Sequence, residues 1–148
     1  MQIVSAQVSA IVHATEDLGK VMIALNRICS QDLFQPSIEK KVLKGHFGNE
    51  IKTLTLSMRG RSAASFFADL WSRLSRIDRE TVVDELGNRF DKDDRLHLRL
   101  DKQECFRDIV RIKDQDAIKV QISIRDVLDP TKDIRVFLES ITESPALT

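Results

Sequence analysis

The sequence predicts an α+β domain in two layers, a mostly antiparallel sheet with helices packed on one face. Three observations support this class. Apolar and polar residues alternate over several short segments, which is typical of strands with one buried face. Short turn signals such as Gly48-Asn49 separate some of these segments, which favours antiparallel pairing. Elsewhere, apolar residues recur at spacings of three and four, as in amphipathic helices.

The size and composition are those of an ordinary soluble protein. The chain has 148 residues, 42% of them hydrophobic and 31% charged, which fits one domain over residues 1–143 with a frayed tail at 144–148. No apolar run approaches the ~20 residues of a membrane span, and no signal peptide is indicated. Cys29 and Cys105 have neither metal-ligand spacing nor a disulfide framework, which favours the reducing cytoplasm. Charges of both signs and few glycines are typical of a thermophile.

A strand and a helix are predicted first. Residues 4–12 alternate between apolar and polar side chains, which indicates a strand. Thr15 is the predicted N-cap of the next helix, because Glu16 and Asp17 would then lie at the positive end of the helix dipole. A loop is expected at residues 30–37. The apolar stripe of the helix consists of Leu18, Val21, Met22, Leu25 and Ile28.

A hairpin and a second helix follow. Strands over residues 38–47 and 51–59 are joined by Gly48-Asn49, since both residues tolerate the positive φ of a tight turn. Ser62 is the predicted N-cap of the second helix. The apolar stripe of this helix consists of Phe66, Phe67, Leu70, Trp71, Leu74 and Ile77.

A short helix and another strand come next. Asp78 is predicted to cap a third helix that ends at Gly87-Asn88. Leucines then alternate with polar residues over residues 96–100, which predicts a strand. Residues 101–106 are expected to form one helical turn with Asp101 as its cap.

A second hairpin and a last helix complete the predicted fold. Residues 109–113 and 118–124 are expected to pair around a turn at residues 114–116. Pro130 is expected in the first turn of the last helix. The apolar stripe of that helix consists of Ile134, Phe137, Leu138 and Ile141.

The charge is unevenly distributed although its net value is zero. Residues 1–77 carry a formal charge of +4 and residues 78–148 a charge of −4. Nucleic-acid-binding domains are usually basic, so this chain would need a local cationic surface. Residues 38–61 provide six basic and two acidic residues, with two guanidiniums on a flexible turn at Arg59-Gly60-Arg61. These cations would either contact phosphates or protect a strand edge against aggregation.

Three polar segments interrupt the apolar pattern, at residues 14–17, 45–49 and 96–103. Binding sites are commonly built from polar residues at the ends of such elements. In the last segment, Lys102 and Gln103 are expected to point outward. They would offer a charge to a phosphate and an amide to a base edge or ribose, or they would only begin a helix.

Enzymatic functions have weaker support. His13, His46 and His97 would bind a metal only if the fold brought them together, because no pair has local ligand spacing. No serine lies in a Gly-x-Ser-x-Gly motif, and no glycine-rich loop has phosphate-binding spacing. The aromatic residues of the second helix share an apolar stripe, which favours core packing over base stacking. Neither a cofactor nor a metal is therefore expected.

The polar segments resemble those of an archaeal family described as predicted RNA-binding proteins, also called predicted exosome subunits. The resemblance extends over roughly residues 1–125. It implies a fold similar to large-subunit ribosomal protein five, RNA binding alongside RNA processing or decay, and partners among exosome- or ribosome-related proteins. The motifs that carry it are His13-Ala14-Thr15-Glu16-Asp17, Gly45-His46-Phe47-Gly48-Asn49 and Leu98-Arg99-Leu100-Asp101-Lys102-Gln103.

The function expected from the sequence is therefore non-catalytic RNA binding. The residues expected to contact phosphates are Lys40, Lys41, Lys44, Arg59 and Arg61. Further polar contacts are expected from His46, Asn49, Lys102 and Gln103. The alternative is a protein-interaction or assembly module without direct RNA binding, in which exposed strand edges pair two copies into a homodimer. No membrane partner is expected.

Overall fold

The structure, a computed structural model, describes residues 1–29, 37–44 and 50–143. Its strands are β1 (Gln2–Val12), β2 (Ser37–Lys44), β3 (Glu50–Arg59), β4 (Arg95–Asp101) and β5 (Ala117–Arg125). Its helices are α1 (Leu18–Ile28), α2 (Gly60–Arg73), α3 (Arg76–Asp84), α4 (Leu86–Arg89), α5 (Lys102–Phe106) and α6 (Pro130–Glu143). The loop predicted at 30–37 falls almost entirely outside the described residues, and the turn at Gly48-Asn49 and the tail at 144–148 lie outside them altogether.

The strands form one five-stranded sheet in the order β2-β3-β1-β5-β4. Each neighbouring pair is antiparallel. β1 is central, and its Val8 pairs with Leu56 of β3 on one side and with Val120 of β5 on the other. The α+β class, the antiparallel sheet and the first hairpin are therefore confirmed.

One face of the sheet is buried against the helices. Successive side chains of a strand point to opposite faces, so every second residue of β1, β3, β4 and β5 faces the core. The helices contribute Leu25 from α1, Phe67 from α2 and Leu138 from α6, all fully buried. Burial of each such side chain contributes about 1.5–3 kcal/mol, which makes this layer the main source of stability. The buried strand residues are Ala6, Val8, Ala10, Val12, Leu54, Leu56, Met58, Leu96, Leu98, Leu100, Ile118, Val120, Ile122 and Ile124.

Two helices are capped by residues other than those predicted. Asp17, not Thr15, is the N-cap of α1, and its carboxylate accepts hydrogen bonds from two backbone N–H groups of the first turn. Ser75, not Asp78, is the N-cap of α3. The carboxylate of Asp78 instead accepts the backbone N–H of Ile112 at 3.1 Å, so a tertiary contact replaces the predicted local one.

The helix α2 begins directly after β3 rather than at Ser62. Arg59 is its N-cap without a side-chain capping bond, and Gly60 has a φ of +58°. Only glycine adopts this left-handed conformation without a steric penalty. Arg59 and Arg61 therefore flank a strand-to-helix junction, not a flexible turn. Ile77 lies outside the helix and is 74% exposed, so its assignment to the apolar stripe was wrong.

The second predicted hairpin does not form. β5 is hydrogen-bonded on both sides, to β1 and to β4, so residues 109–113 have no free edge of β5 to pair with. Ile112 forms an isolated bridge with Leu100 of β4. The N–H of Asp101 also donates to the carbonyl of Arg111 at 2.8 Å. This segment therefore covers the outer edge of β4.

The other helices of the second half follow the sequence prediction more closely. The third helix ends at Asp84, and Gly87-Asn88 lie within the short helix α4 instead of ending α3. Asp101 caps α5, and Pro130 begins α6, as predicted. None of the helices in the described ranges combines the length and apolar character needed to cross a membrane.

Candidate functional site

The second face of the sheet, which we call the open face, presents the strand residues that do not enter the core. Their side chains are exposed or half-buried, in contrast to the buried positions between them. The open face is therefore a solvent-accessible, mostly polar surface of the sheet.

The strand register aligns these side chains in rows across β4, β5, β1 and β3. Neighbouring rows are two residues apart, about 7 Å along the strands. Within these strands the rows contain hydroxyls, amides, an imidazole and cations, but no carboxylate. The first row is Arg95, Ser123, Ser5 and Arg59; the second is His97, Gln121, Gln7 and Ser57; the third is Arg99, Lys119, Ser9 and Thr55.

Two carboxylates from the turn before β4 reach the rows: Asp93 accepts from Arg95 Nη2 at 3.0 Å, and Asp91 contacts both the first and the second row. Arg95 Nε donates to Asp91 Oδ2 at 3.2 Å, and His97 Nε2 lies 2.6 Å from the same oxygen. Desolvation alone would raise the pKa of Asp91. The hydrogen bond with His97 and those from the backbone N–H groups of Arg95 and Asp93 outweigh it and lower this pKa to about 2. Asp91 therefore stays ionised and compensates the charge of Arg95.

Three other cations of the rows have no such compensation. Arg59, Arg99 and Lys119 are exposed, and none of them forms an ion pair with a residue that the structure describes. Arg99 donates to the backbone carbonyl of Asp114 at 3.1 Å, which leaves its charge intact. The third row, where Arg99 lies beside Lys119, is thus the most cationic part of the open face.

The first and the last of the polar segments meet at one end of the sheet, which we call the loop end. Val12 at the end of β1 pairs with Lys52 near the start of β3, and Asp101 at the end of β4 pairs with Ala117 at the start of β5. Antiparallel strands place these termini together. β2 ends and β3 begins here as well, on either side of residues 45–49, which lie outside the described ranges.

Lys102 lies at the centre of the loop end and does not point outward. It is only 6% exposed. Its Nζ donates to both carboxylate oxygens of Glu16 at 3.1 Å, to Asp116 Oδ1 at 3.0 Å and to the carbonyl of Ile11 at 2.8 Å. The expected outward orientation was wrong, because a buried ammonium requires acceptors and the fold supplies them from distant segments. Gln103 is exposed, as expected.

A metal ion would have to compete with this lysine. Ligand atoms of His13, Glu16 and Asp116 lie within 4.8 Å of one another. The hydrogen bond from Lys102 is the main reason why the pKa of Asp116 is lowered, and a contact with His13 adds to it. A divalent cation bound to the same carboxylates would be repelled by the adjacent ammonium. The cluster is therefore organised around a lysine.

Several sequence-predicted site residues lie far from one another. Arg59 pairs with Ser5 and Lys52 with Val12, so Arg59 is about 24 Å from the loop end along β3. Arg61 is exposed in the first turn of α2, next to Arg59. The predicted phosphate-binding residues of the first half can therefore act on one ligand only if that ligand also crosses the open face.

For the lysines of the first hairpin, the strand register gives the positions of the backbone. Lys40 lies opposite Leu54, Lys41 opposite Thr53 and Lys44 opposite Glu50 in the β2–β3 register. His46 and Asn49 lie outside the described residues.

The sequence interpretation missed the cations of the last strands as site residues. Lys119 and Arg125 occupy polar positions of the segment Ile118–Ile124 and its end, and Arg99 occupies one of β4. The alternation that identified these strands also identified their polar face. These polar positions can be recognised as parts of one surface only when the strand order is known, and local alternation does not provide that order.

A nucleophilic cysteine and base stacking by the aromatic stripe of α2 find no support in the described residues. Cys29 and Cys105 are buried, and burial raises the pKa of both thiols to about 12, so neither is a thiolate near neutral pH. Phe66 and Trp71 are 0% and 1% exposed, which confirms core packing for the aromatic stripe of α2. His13 and His97 contact different carboxylates, Asp116 and Asp91, and His46 lies outside the described ranges.

The fold and site define a class of α+β proteins with an antiparallel sheet, helices on one face and a polar, cationic open face on the other. The chain belongs to the family whose model is described as RNA binding, which matches residues 5–124. The resemblance inferred from the polar segments is therefore confirmed at the level of the family.

Relatives of known sequence and structure agree with this membership. The chain is 26% identical to RNA-binding protein PAB1135 of Pyrococcus abyssi over 129 residues, 84% of each chain. It is 30% identical to the uncharacterized protein MJ0213 of Methanocaldococcus jannaschii over 118 residues, 77% of this chain and 78% of the relative. The solved structure of Mth689, a DUF54 protein from Methanothermobacter thermautotrophicus, is 26% identical, with a TM-score of 0.73 over 97% of this chain and 100% of that one.

Proposed function

We propose that this chain is a non-catalytic RNA-binding protein that holds the RNA backbone on the open face of its sheet. The observation that carries the proposal is the third row, where the uncompensated cations Arg99 and Lys119 lie beside the hydroxyls of Ser9 and Thr55. Guanidinium and ammonium groups bind phosphates, and hydroxyls bind phosphate oxygens and the ribose 2′-OH. Membership of a family described as RNA binding supports the same ligand.

The geometry favours contacts to the backbone of RNA. Strands lie about 4.8 Å apart and rows about 7 Å apart, so the rows present a regular grid of donors. The rows of β1, β3, β4 and β5 contain no phenylalanine, tyrosine or tryptophan, and their single ring, the imidazole of His97, is held by Asp91. Affinity would come mainly from charge and would therefore depend strongly on salt.

In this proposal, cations of the first hairpin and of the start of α2 extend the RNA-binding surface beyond the rows. Arg59 belongs to the first row, and Arg61 follows it in α2. On β2, the strand next to β3, Lys41 lies opposite Thr53, a register position of the open face, whereas Lys40 and Lys44 hold register positions of the other face. We assign Arg59, Arg61 and Lys41 to phosphates on the open face, Lys40 and Lys44 to phosphates at the β2 margin of the sheet, and His46, Asn49 and Gln103 to polar contacts. Lys102 contributes by positioning the loop end, since its ammonium is engaged by Glu16 and Asp116.

We also propose a cellular role and protein partners for this chain. A neutral chain with one cationic face would bind RNA with moderate affinity and would suit an accessory role in RNA processing or in association with the exosome, in the cytoplasm.

A salt titration tests the proposal. The full chain is titrated into fluorescently labelled single-stranded and hairpin RNAs while anisotropy is measured at several salt concentrations. We expect binding at low salt that weakens linearly on a log–log plot, with a slope of about −0.7 per phosphate contact for single strands and about −0.9 for duplexes. Absence of binding at low salt, or an affinity independent of salt, would contradict it.

A further inference from the structure

A cleft with a volume of about 380 Å³ lies between α1 and α5 at the loop end. Its apolar part is formed by Val21 and by the ring of Phe106. The other lining residues are Lys20, Gln103 and Arg107, together with Lys102 and the carboxylates of Glu16 and Asp17. A volume of this size falls within the usual range of small-ligand sites, which combine an apolar lining with a few polar groups.

The ring of Phe106 differs from the other aromatic rings near the core. Phe66, Phe67 and Trp71 are almost completely buried, whereas Phe106 is half-buried and lines the cleft. Lys20 Nζ lies 5.9 Å from the centre of the Phe106 ring. A partly exposed ring beside a cation is the combination that binds an unpaired base by stacking and its phosphate by charge.

The rim supplies the polar groups that such a base needs. Gln103 is exposed, and its side-chain amide makes no hydrogen bond to any described residue, although its backbone N–H donates to Asp101 at 3.0 Å. A free amide offers both donors and an acceptor to a base edge. Lys20 and Arg107 are exposed on either side and can reach the phosphate of the same nucleotide.

The cleft continues the proposed RNA-binding surface. Arg99 in the third row is two residues before Asp101, about 7 Å along β4, and α5 begins at the next residue. An RNA strand that follows the rows toward the loop end and turns around it toward the helical layer would reach the cleft. The rows hold no phenyl or indole ring, so the cleft would add a stacking contact of that kind.

We propose, on the basis of the proposed RNA-binding function, that this cleft holds one unpaired base of the bound RNA. Phe106 stacks on the base, the Gln103 amide pairs with its edge, and Lys20 and Arg107 bind the adjacent phosphate. The site takes a purine more tightly than a pyrimidine, because the larger ring system stacks over more of the phenyl ring.

Base fluorescence tests this assignment. The probe is a single-stranded RNA of about 12 uridines with one central 2-aminopurine, a length within the site sizes of single-strand-binding folds. Binding is measured by anisotropy of an end label, and stacking by the 2-aminopurine emission at saturation. We expect the emission to fall on binding and Phe106→Leu to remove most of this fall, with a loss of affinity of about 5- to 150-fold.

Two further variants distinguish RNA binding in the cleft from RNA binding on the rows of the open face. Gln103→Ala is at an exposed position, so it tests the cleft without affecting the core, and it should weaken both affinity and emission change. Lys119→Ala should weaken affinity but leave the emission at saturation unchanged. Melting curves by circular dichroism show whether Phe106→Leu remains folded.

The outcomes distinguish the two proposals. If the wild-type chain binds the probe but the emission stays constant, or if the fall persists in both Phe106→Leu and Gln103→Ala, the base site is wrong while the RNA-binding function stands. If the wild-type chain binds neither this probe nor a hairpin RNA at low salt, the proposed function itself is wrong.

Discussion

Lys102 and Glu16 are separated by 86 residues in the sequence, yet the lysine ammonium donates to both oxygens of the Glu16 carboxylate at 3.1 Å. This contact joins the start of α5 to the turn before α1. Asp116 adds a third segment to the same ammonium. The loop end is therefore fixed by one buried charge with partners from different parts of the chain.

Replacement of this lysine should destabilise the fold. We expect Lys102→Met to lower the free energy of unfolding by about 2 kcal/mol, because it leaves Glu16 and Asp116 without their cation. The cost is smaller than the about 3–5 kcal/mol typical of fully buried pairs, since both carboxylates are partly exposed. Urea unfolding measures the change. As a control, Arg76→Ala, which breaks the exposed pair with Glu80, should cost less than about 0.5 kcal/mol. Equal losses in the two variants would contradict the expectation.

The Asp91–His97 contact should make the free energy of unfolding depend on pH in the acidic range. The pKa of Asp91 is about 2 in the fold and 3.8 in a model peptide, so its ionised form is stabilised by folding. That contribution is fully present above pH 3.8 and is lost as the pH falls toward about 2. The stability difference between wild type and Asp91→Asn should therefore narrow over this range in urea titrations at stepped pH. A difference that stays constant from neutral to acidic pH would show that the carboxylate is not responsible.

Loss of the Asp101 cap should loosen the start of α5. The Asp101 carboxylate accepts the backbone N–H groups of Gln103 and Glu104 at 3.0 and 3.1 Å. Asp101→Ala should cost about 1 kcal/mol in thermal or urea unfolding, as for other N-cap aspartates. Asp84→Ala is a matched control, because Asp84 is exposed and caps no described helix, and it should be neutral. An Asp101→Ala variant as stable as wild type would contradict the capping role.

Cations of the open face should contribute to RNA affinity more than cations of the helical layer. The double variant Arg99→Ala/Lys119→Ala should bind the RNAs of the salt titration more weakly, and the magnitude of the salt slope should fall by about 0.7 per lost contact to a single strand. The matched control is Arg135→Ala/Lys132→Ala, which removes the same charges from exposed positions of α6. Anisotropy titrations compare the two. Equal losses would mean that only net charge matters and that the open face is not the binding surface.

Local sequence signals predicted most of the fold because they determine local structure. The alternation of isoleucines and valines over residues 118–124 and of leucines over 96–100 defined β5 and β4 with their inward faces. The cap at Asp101 and the first turn of α6 at Pro130 were likewise determined by neighbouring residues. The cap of α1 lies two residues later than predicted, at Asp17 rather than Thr15, because residues 13–16 form a separate turn in which the Glu16 N–H donates to the His13 carbonyl at 2.9 Å.

Long-range pairing explains what the sequence did not predict. Residues 109–113 have the composition of a strand. They cannot form a hairpin with β5, however, because β1 already pairs with the edge of β5 that the hairpin would need. Lys102 gave no local sign of burial, since its carboxylate partners lie far away in the chain. The cationic rows could not be predicted without the strand order, which places Arg99 beside Lys119 and Arg59 across the sheet from Arg95.

The β4 margin of the sheet is not free to accept another strand. On the β4 margin, the Asp101 N–H is used by Arg111, and the Arg99 carbonyl accepts the Lys113 N–H at 3.0 Å. An incoming peptide would have to displace these bonds before it could add there. Addition of a strand at β4, whether from a second copy or another protein, therefore requires residues 111–113 to leave this margin first.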